Sequence, residues 1–83
     1  MTLVVTLYTR PGCHLCERAR EAIEGLRDEL APFELAEIDI DREEALLARF
    51  LERIPVVAVD GQVVSELESD PRVLRARLDT VQR

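Results

Sequence analysis

Apolar residues occur along this chain in two kinds of pattern. Short continuous or alternating runs at 3–8, 33–40, 56–59 and 62–65 predict β-strands. Apolar positions that recur every three or four residues after Cys16, Asp41 and Asp70 predict three amphipathic helices. Asp41 and Asp70 are the expected N-caps, and Pro71 suits a first helical position. The predicted order is therefore β-α-β-α-β-β-α.

The clearest local signal is an Asp60-Gly61 pair between two β-branched runs, which predicts a tight antiparallel hairpin. The first two strands are joined by a helix, so they are expected to be parallel with a right-handed crossover. The run at 33–40 alternates only partly, which is typical of a strand near a sheet edge. We therefore predict an α/β fold with a four-stranded mixed sheet and helices on both faces.

Length and charge narrow the function classes. The 83 residues predict a single domain over 1–83, and 47% hydrophobic against 4% aromatic residues predicts an aliphatic core. The net charge of -6 argues against nucleic acid and anionic membranes as partners. The apolar run at 3–7 is too short to span a membrane, and no basic segment precedes it as in a signal peptide. We expect a cytoplasmic monomer.

Candidate chemistry is concentrated in Cys13-His14-Leu15-Cys16, between the first strand and the first helix. Two thiols three positions apart at a helix start lie one turn from each other. The helix dipole favours a thiolate at Cys13, and a thiolate with a second thiol in reach attacks a disulfide and is then resolved intramolecularly. His14 is expected to face solvent, where it either tunes the pKa of Cys13 through its charge or has no role. These features predict a dithiol redox protein.

Two stretches resemble a known family. They are Tyr8-Thr9-Arg10-Pro11-Gly12-Cys13-His14-Leu15-Cys16 and Arg53-Ile54-Pro55-Val56-Val57, with Val59-Asp60-Gly61 beyond. With the element order, they resemble the thioredoxin-fold superfamily and, within it, the small glutaredoxin-like proteins of bacteria. The resemblance covers nearly the whole chain. It implies a thioredoxin-like fold and a thiol–disulfide oxidoreductase that reduces protein or glutathione mixed disulfides.

The resemblance also implies roles for individual residues. Cys13 is the expected attacking thiol and Cys16 the resolving one. Pro55 matches a cis-proline that faces the active site, and the backbone of Ile54 is expected to pair with the sulfur-bearing residue of the substrate.

Three further positions are implied to contact glutathione. Arg10 matches a basic residue that contacts one glutathione carboxylate, and Ser69 with Asp70 lies at a helix N-terminus that holds its other end. Such a terminus is a physically sensible anion site. However, Glu66-Leu67-Glu68 stands where the family usually has a glycine pair, and its two acids are expected to repel an anionic tripeptide.

No tightly bound cofactor or metal is expected. Electrons are expected from glutathione or from a thioredoxin-reductase-type protein, and the expected substrates are disulfide-containing proteins. Three alternatives stay open: inert buried thiols, a dimeric module that binds zinc or an iron–sulfur cluster through Cys13, and a redox sensor without turnover.

Overall fold

A computed structural model describes residues 3–30 and 32–82 of the chain. Its elements follow the predicted order β-α-β-α-β-β-α, with one short 3₁₀ turn inserted before the second helix. In chain order they are β1 (Leu3–Thr9), α1 (His14–Gly25), β2 (Phe33–Asp39), the 3₁₀ turn (Ile40–Arg42), α2 (Glu44–Phe50), β3 (Val56–Val59), β4 (Gln62–Glu66) and α3 (Pro71–Gln82).

The four strands form one mixed sheet in the order β2-β1-β3-β4. Strands β1 and β2 are parallel, with Leu3 opposite Phe33, whereas β3 is antiparallel to both β1 and β4. Asp60 and Gly61 both have positive φ, 48° and 88°, as a tight hairpin turn requires. The predicted hairpin, the parallel first pair and the position of β2 at an edge are confirmed.

Helices cover both faces of the sheet, and a separate apolar core lies between the sheet and the helices on each face. The larger core lies under α1 and α3 and is mainly aliphatic; its most buried members are Val5, Ala19, Ile23, Val57 and Leu74. The smaller core lies under α2 and consists of Ile40, Phe50 and Val56, with Tyr8 and Ile54 packed against them. Because β1 and β3 are antiparallel, the start of β3 lies beside the end of β1, with Val56 opposite Tyr8, and from that end the chain enters α1.

One predicted helix start is wrong. Asp41 does not cap α2; it lies inside the 3₁₀ turn, where its amide donates to Asp39 Oδ1 at 2.9 Å. The N-cap of α2 is Glu43, which makes no side-chain capping bond. The reason is tertiary: the turn buries Ile40 completely in the smaller core, and only then does the chain enter the helix.

The other two helix starts follow the sequence more closely. Asp70 is the predicted N-cap of α3: its carbonyl accepts the Leu74 amide at 3.0 Å and its Oδ1 accepts the Arg72 amide at 2.9 Å. Helix α1 begins at His14, two residues before the predicted start at Cys16. Among the described residues, no helix is both long enough and apolar enough to span a bilayer.

Candidate active site

A tight turn carries the chain from β1 into α1. The turn closes through a bond from the Cys13 amide to the Arg10 carbonyl at 3.2 Å, and Gly12 within it has a φ of +82°, which favours glycine. Cys13 then adopts extended angles as the N-cap of α1, and its carbonyl accepts the Glu17 amide at 3.1 Å. The turn therefore fixes Cys13 at the positive end of the helix.

The two cysteines form a disulfide, with their Cα atoms 5.2 Å apart. The Cys16 amide donates to Cys13 Sγ at 3.2 Å, so Cys13 caps the helix through its sulfur. Cys16 is 1% exposed, whereas Cys13 is only partly buried. A negative charge on Cys13 Sγ is stabilised by this amide and by the helix dipole. Cys13 is thus the more accessible of the two sulfurs.

Two polar neighbours of the pair, His14 and Arg10, lie close to carboxylates. The His14 side chain is 90% exposed, and its Nδ1 lies 3.7 Å from Glu17 Oε2, one turn along the helix. Arg10 Nε lies 2.9 Å from Asp41 Oδ1, which ties the active-site turn to the 3₁₀ turn. No local pattern indicates this Arg10–Asp41 pair, since the partners are 31 positions apart.

The segment before β3 contains the predicted proline. The Ile54–Pro55 peptide bond is cis. Pro55 is buried, and Ile54 is half-buried in the smaller core. The Ile54 amide already donates to the Phe50 carbonyl at 3.1 Å. A bound peptide therefore meets this amide only in competition with Phe50.

Leu67 is a feature that sequence reasoning missed. Its φ is +58°, in the left-handed region, and its side chain is 60% exposed. Its amide donates to the carbonyls of Arg53 and Pro55, both at 3.0 Å, which joins the end of β4 to the proline segment. Leucine rarely adopts left-handed angles, so the sequence does not predict this conformation or the exposure that goes with it.

Ser69 and Asp70 lie at the start of α3, as predicted. Both amides donate to Glu68 Oε2 at 3.2 Å. The Asp70 carboxylate accepts from Arg72, with Nη2 and Oδ2 3.3 Å apart; this side-chain bond and the Arg72 amide lower the pKa of Asp70 below its ordinary value. The amides at this terminus are therefore satisfied by carboxylates of the chain itself.

The predicted contact residues fall into two places. Arg10 lines a depression that also includes Gly12, Cys16 and Glu37. Ser69 and Asp70 line another, whose α1 wall is Arg18, Glu21 and Ala22. Both depressions are lined by residues of α1, so this helix lies between the two predicted ends of a glutathione site.

Metal ligation at the cysteine pair lacks donors within one copy. The described residues contain no group of three or more His, Cys, Asp or Glu side chains arranged to hold a metal ion. Since a closed zinc site takes four ligands, a site on Cys13 and Cys16 needs donors from a second molecule.

Comparisons with known proteins agree with this geometry. A family model described as glutaredoxin-like domain (DUF836) matches residues 4–80. An uncharacterized protein of Mycobacterium tuberculosis is 40% identical over 77 residues, which cover 87% of this chain and 78% of the relative.

Solved structures extend the likeness to the fold. A protein from X. campestris with a solved X-ray structure is 35% identical to this chain. The match covers 92% of this chain and 96% of that one, and the two superpose with a TM-score of 0.76. Fasciola hepatica thioredoxin is 23% identical over 99% of this chain and 82% of its own chain, with a TM-score of 0.69. At that identity the thioredoxin shows the fold alone, and the fold is thioredoxin-like.

Proposed function

Because this chain belongs to the glutaredoxin-like domain family (DUF836), we propose that it is a thiol–disulfide oxidoreductase that reduces protein disulfides or glutathione mixed disulfides. One observation supports this best. The two sulfurs of the disulfide differ in access: Cys13 is partly exposed at a helix N-cap, and Cys16 is buried one turn below it. An exposed sulfur paired with a buried one suits the successive steps of attack and resolution.

The reaction starts from the reduced pair. The Cys13 thiolate attacks one sulfur of a substrate disulfide; a Cys13–substrate bond forms, the substrate bond breaks, and one substrate sulfur leaves as a thiolate. Cys16 then loses its proton and attacks Cys13 Sγ, which forms the Cys13–Cys16 disulfide and expels the second substrate thiolate. Two electrons pass from the dithiol to the substrate, and its thiolates take up two protons.

The surrounding residues have proposed binding roles. The Ile54 backbone and Pro55 align the substrate beside Cys13, and Arg10 attracts an acidic group of the substrate. His14 adjusts the electrostatic environment of the Cys13 sulfur. Ser69 and Asp70 form the far edge of the contact surface. No resident cofactor is needed, and the protein acts as a monomer in the cytoplasm, where glutathione or a thioredoxin-reductase-type protein returns the disulfide to the dithiol.

The test compares two single-sulfur variants in an insulin-reduction assay with dithiothreitol as the electron source. Cys13→Ser is expected to lose all turnover, because it removes the attacking sulfur. Cys16→Ser, reduced beforehand and then freed of dithiothreitol before insulin is added, is expected to accumulate a mixed disulfide between Cys13 and an insulin chain, visible by mass spectrometry under non-reducing conditions. Residual turnover in Cys13→Ser, or an adduct on Cys16 in place of Cys13, contradicts the assignment.

A further inference from the structure

Each amide that opens α3 is already occupied or absent. Glu68 Oε2 accepts the amides of Ser69 and Asp70, each at 3.2 Å. Pro71 has no N–H, and the Arg72 amide donates to Asp70 Oδ1 at 2.9 Å. A helix N-terminus attracts anions through such unpaired amides. Here two carboxylates of the chain take the place that an external anion needs.

The depression beside this terminus is also unfavourable for an anion. Its charged lining consists of three carboxylates, on Glu21, Glu68 and Asp70, and one guanidinium, on Arg18. The Arg72 side chain holds the pKa of Asp70 below its ordinary value, so this group stays charged at neutral pH. A carboxylate of an incoming ligand has to displace Glu68 from the amides, and it is repelled by the negative charges of the remaining carboxylates.

We propose that Glu68 determines which reductant this protein uses: by occupying the Ser69 and Asp70 amides it denies them to an anionic thiol such as glutathione, so that a dithiol protein reduces the Cys13–Cys16 disulfide. This inference rests on the proposed oxidoreductase function. In that reduction one partner thiolate attacks Cys13 Sγ and releases the Cys16 thiolate, and the second partner thiolate then breaks the intermolecular bond. The partner becomes a disulfide, and two electrons and two protons pass to this chain.

Glu66 provides a matched control. It lies two positions before Glu68, and its Oε2 is 3.8 Å from Arg53 Nε, away from the α3 amides. Glu66→Ala removes one negative charge from the same segment and leaves the amides occupied. Glu68→Ala removes the charge and frees both amides, whereas Glu68→Gln removes the charge and keeps an oxygen that accepts from them.

The experiment measures thiol exchange at equilibrium in a Cys16→Ser background, where Cys13 forms only mixed disulfides. Each variant is equilibrated with oxidised and reduced glutathione and, separately, with 2-hydroxyethyl disulfide and its thiol. The ratio of the two equilibrium constants reports recognition of the glutathione moiety independently of Cys13 reactivity. Circular dichroism verifies that each variant is folded.

We expect a ratio near one for the parent, a rise of about tenfold for Glu68→Ala, and a change below about twofold for Glu66→Ala. Glu68→Gln is expected within about threefold of the parent, since its oxygen still occupies the amides. A parent ratio already above about ten, equal effects of the two alanine variants, or a Glu68→Gln value equal to that of Glu68→Ala overturns the proposal.

A parallel assay separates this proposal from the proposed function. Insulin reduction driven by dithiothreitol, with both cysteines present, depends on the dithiol but not on glutathione recognition. Absence of this turnover in the wild-type protein, with both cysteines, contradicts the oxidoreductase function and, with it, the proposal. Normal turnover with a high glutathione ratio contradicts only the role of Glu68.

Discussion

Replacing Phe50 by alanine is expected to remove a large share of the stability of this protein. Phe50 is 2% exposed, and its ring centroid lies 4.5 Å from that of Tyr8. These are two of only three aromatic residues in the chain, so no other aromatic contact replaces this one in the smaller core. Helix α2 has seven residues, too few to persist without packing.

The magnitude follows from the burial of the ring. Truncation of a buried Phe to Ala costs about 3–5 kcal/mol, through lost transfer energy and the cavity that remains. At about 0.05–0.15 kcal/mol per residue, a domain of 83 residues has a total stability of roughly 4–12 kcal/mol. Phe50→Ala is therefore expected to lower Tm by at least about 12 °C.

Urea unfolding followed by far-UV circular dichroism measures this loss, with an unchanged slope as the sign that only stability has changed. Leu51→Ala is the control: the adjacent side chain is 42% exposed, and its loss is expected to cost below about 0.5 kcal/mol. If Phe50→Ala does not fold, Phe50→Leu is expected to lose about 1–2 kcal/mol. A loss below about 1.5 kcal/mol for Phe50→Ala refutes the role of the ring as the anchor of α2.

Three further predictions concern single residues. Leu67→Gly is expected to stabilise the oxidised protein by about 0.5–1 kcal/mol in urea unfolding, because φ is +58°, whereas Leu51→Gly, at helical angles, is expected to destabilise it. The Ser65 hydroxyl is buried with no hydrogen-bond partner among the described residues, so Ser65→Ala is expected to raise Tm; a fall contradicts this. Arg72 lowers the pKa of Asp70, so the contribution of the Asp70 carboxylate to folding stability is present above the unfolded pKa of 3.8 and is lost as pH falls through the lower folded value. The difference in unfolding free energy between wild type and Asp70→Asn is therefore expected to close in that acidic range and to stay constant from about pH 5 to 7.

Local signals predicted the parts of the fold that local physics decides. The Asp60-Gly61 pair predicted the hairpin, because both residues need positive φ there and these two residue types tolerate it. Asp70-Pro71 predicted the start of α3 for the same reason: cap and first helical residue are set by adjacent groups. Asp41 misled because burial of Ile40, a tertiary effect, draws the chain into a 3₁₀ turn first.

The candidate site divides in the same way. The spacing of Cys13 and Cys16 predicted a pair within one turn, and the structure joins them. The acidic run at 66–68 predicted repulsion of an anion, but it did not show that the two acids have different partners. That difference depends on the backbone path after β4, where Leu67 turns left-handed and Glu68 meets the amides ahead of it.

The N-termini of the two longer helices, α1 and α3, differ in the groups that accept their amide hydrogen bonds. At α3, the carboxylates of Glu68 and Asp70 accept the amides, and neither group takes part in the disulfide. At α1, the Cys16 amide donates to Cys13 Sγ, a sulfur that can ionise only after the disulfide is reduced. The dipole of α1 is therefore available to a thiolate on Cys13 once the disulfide is reduced. This asymmetry explains how a chain with a net charge of -6 still offers one favourable place for a thiolate.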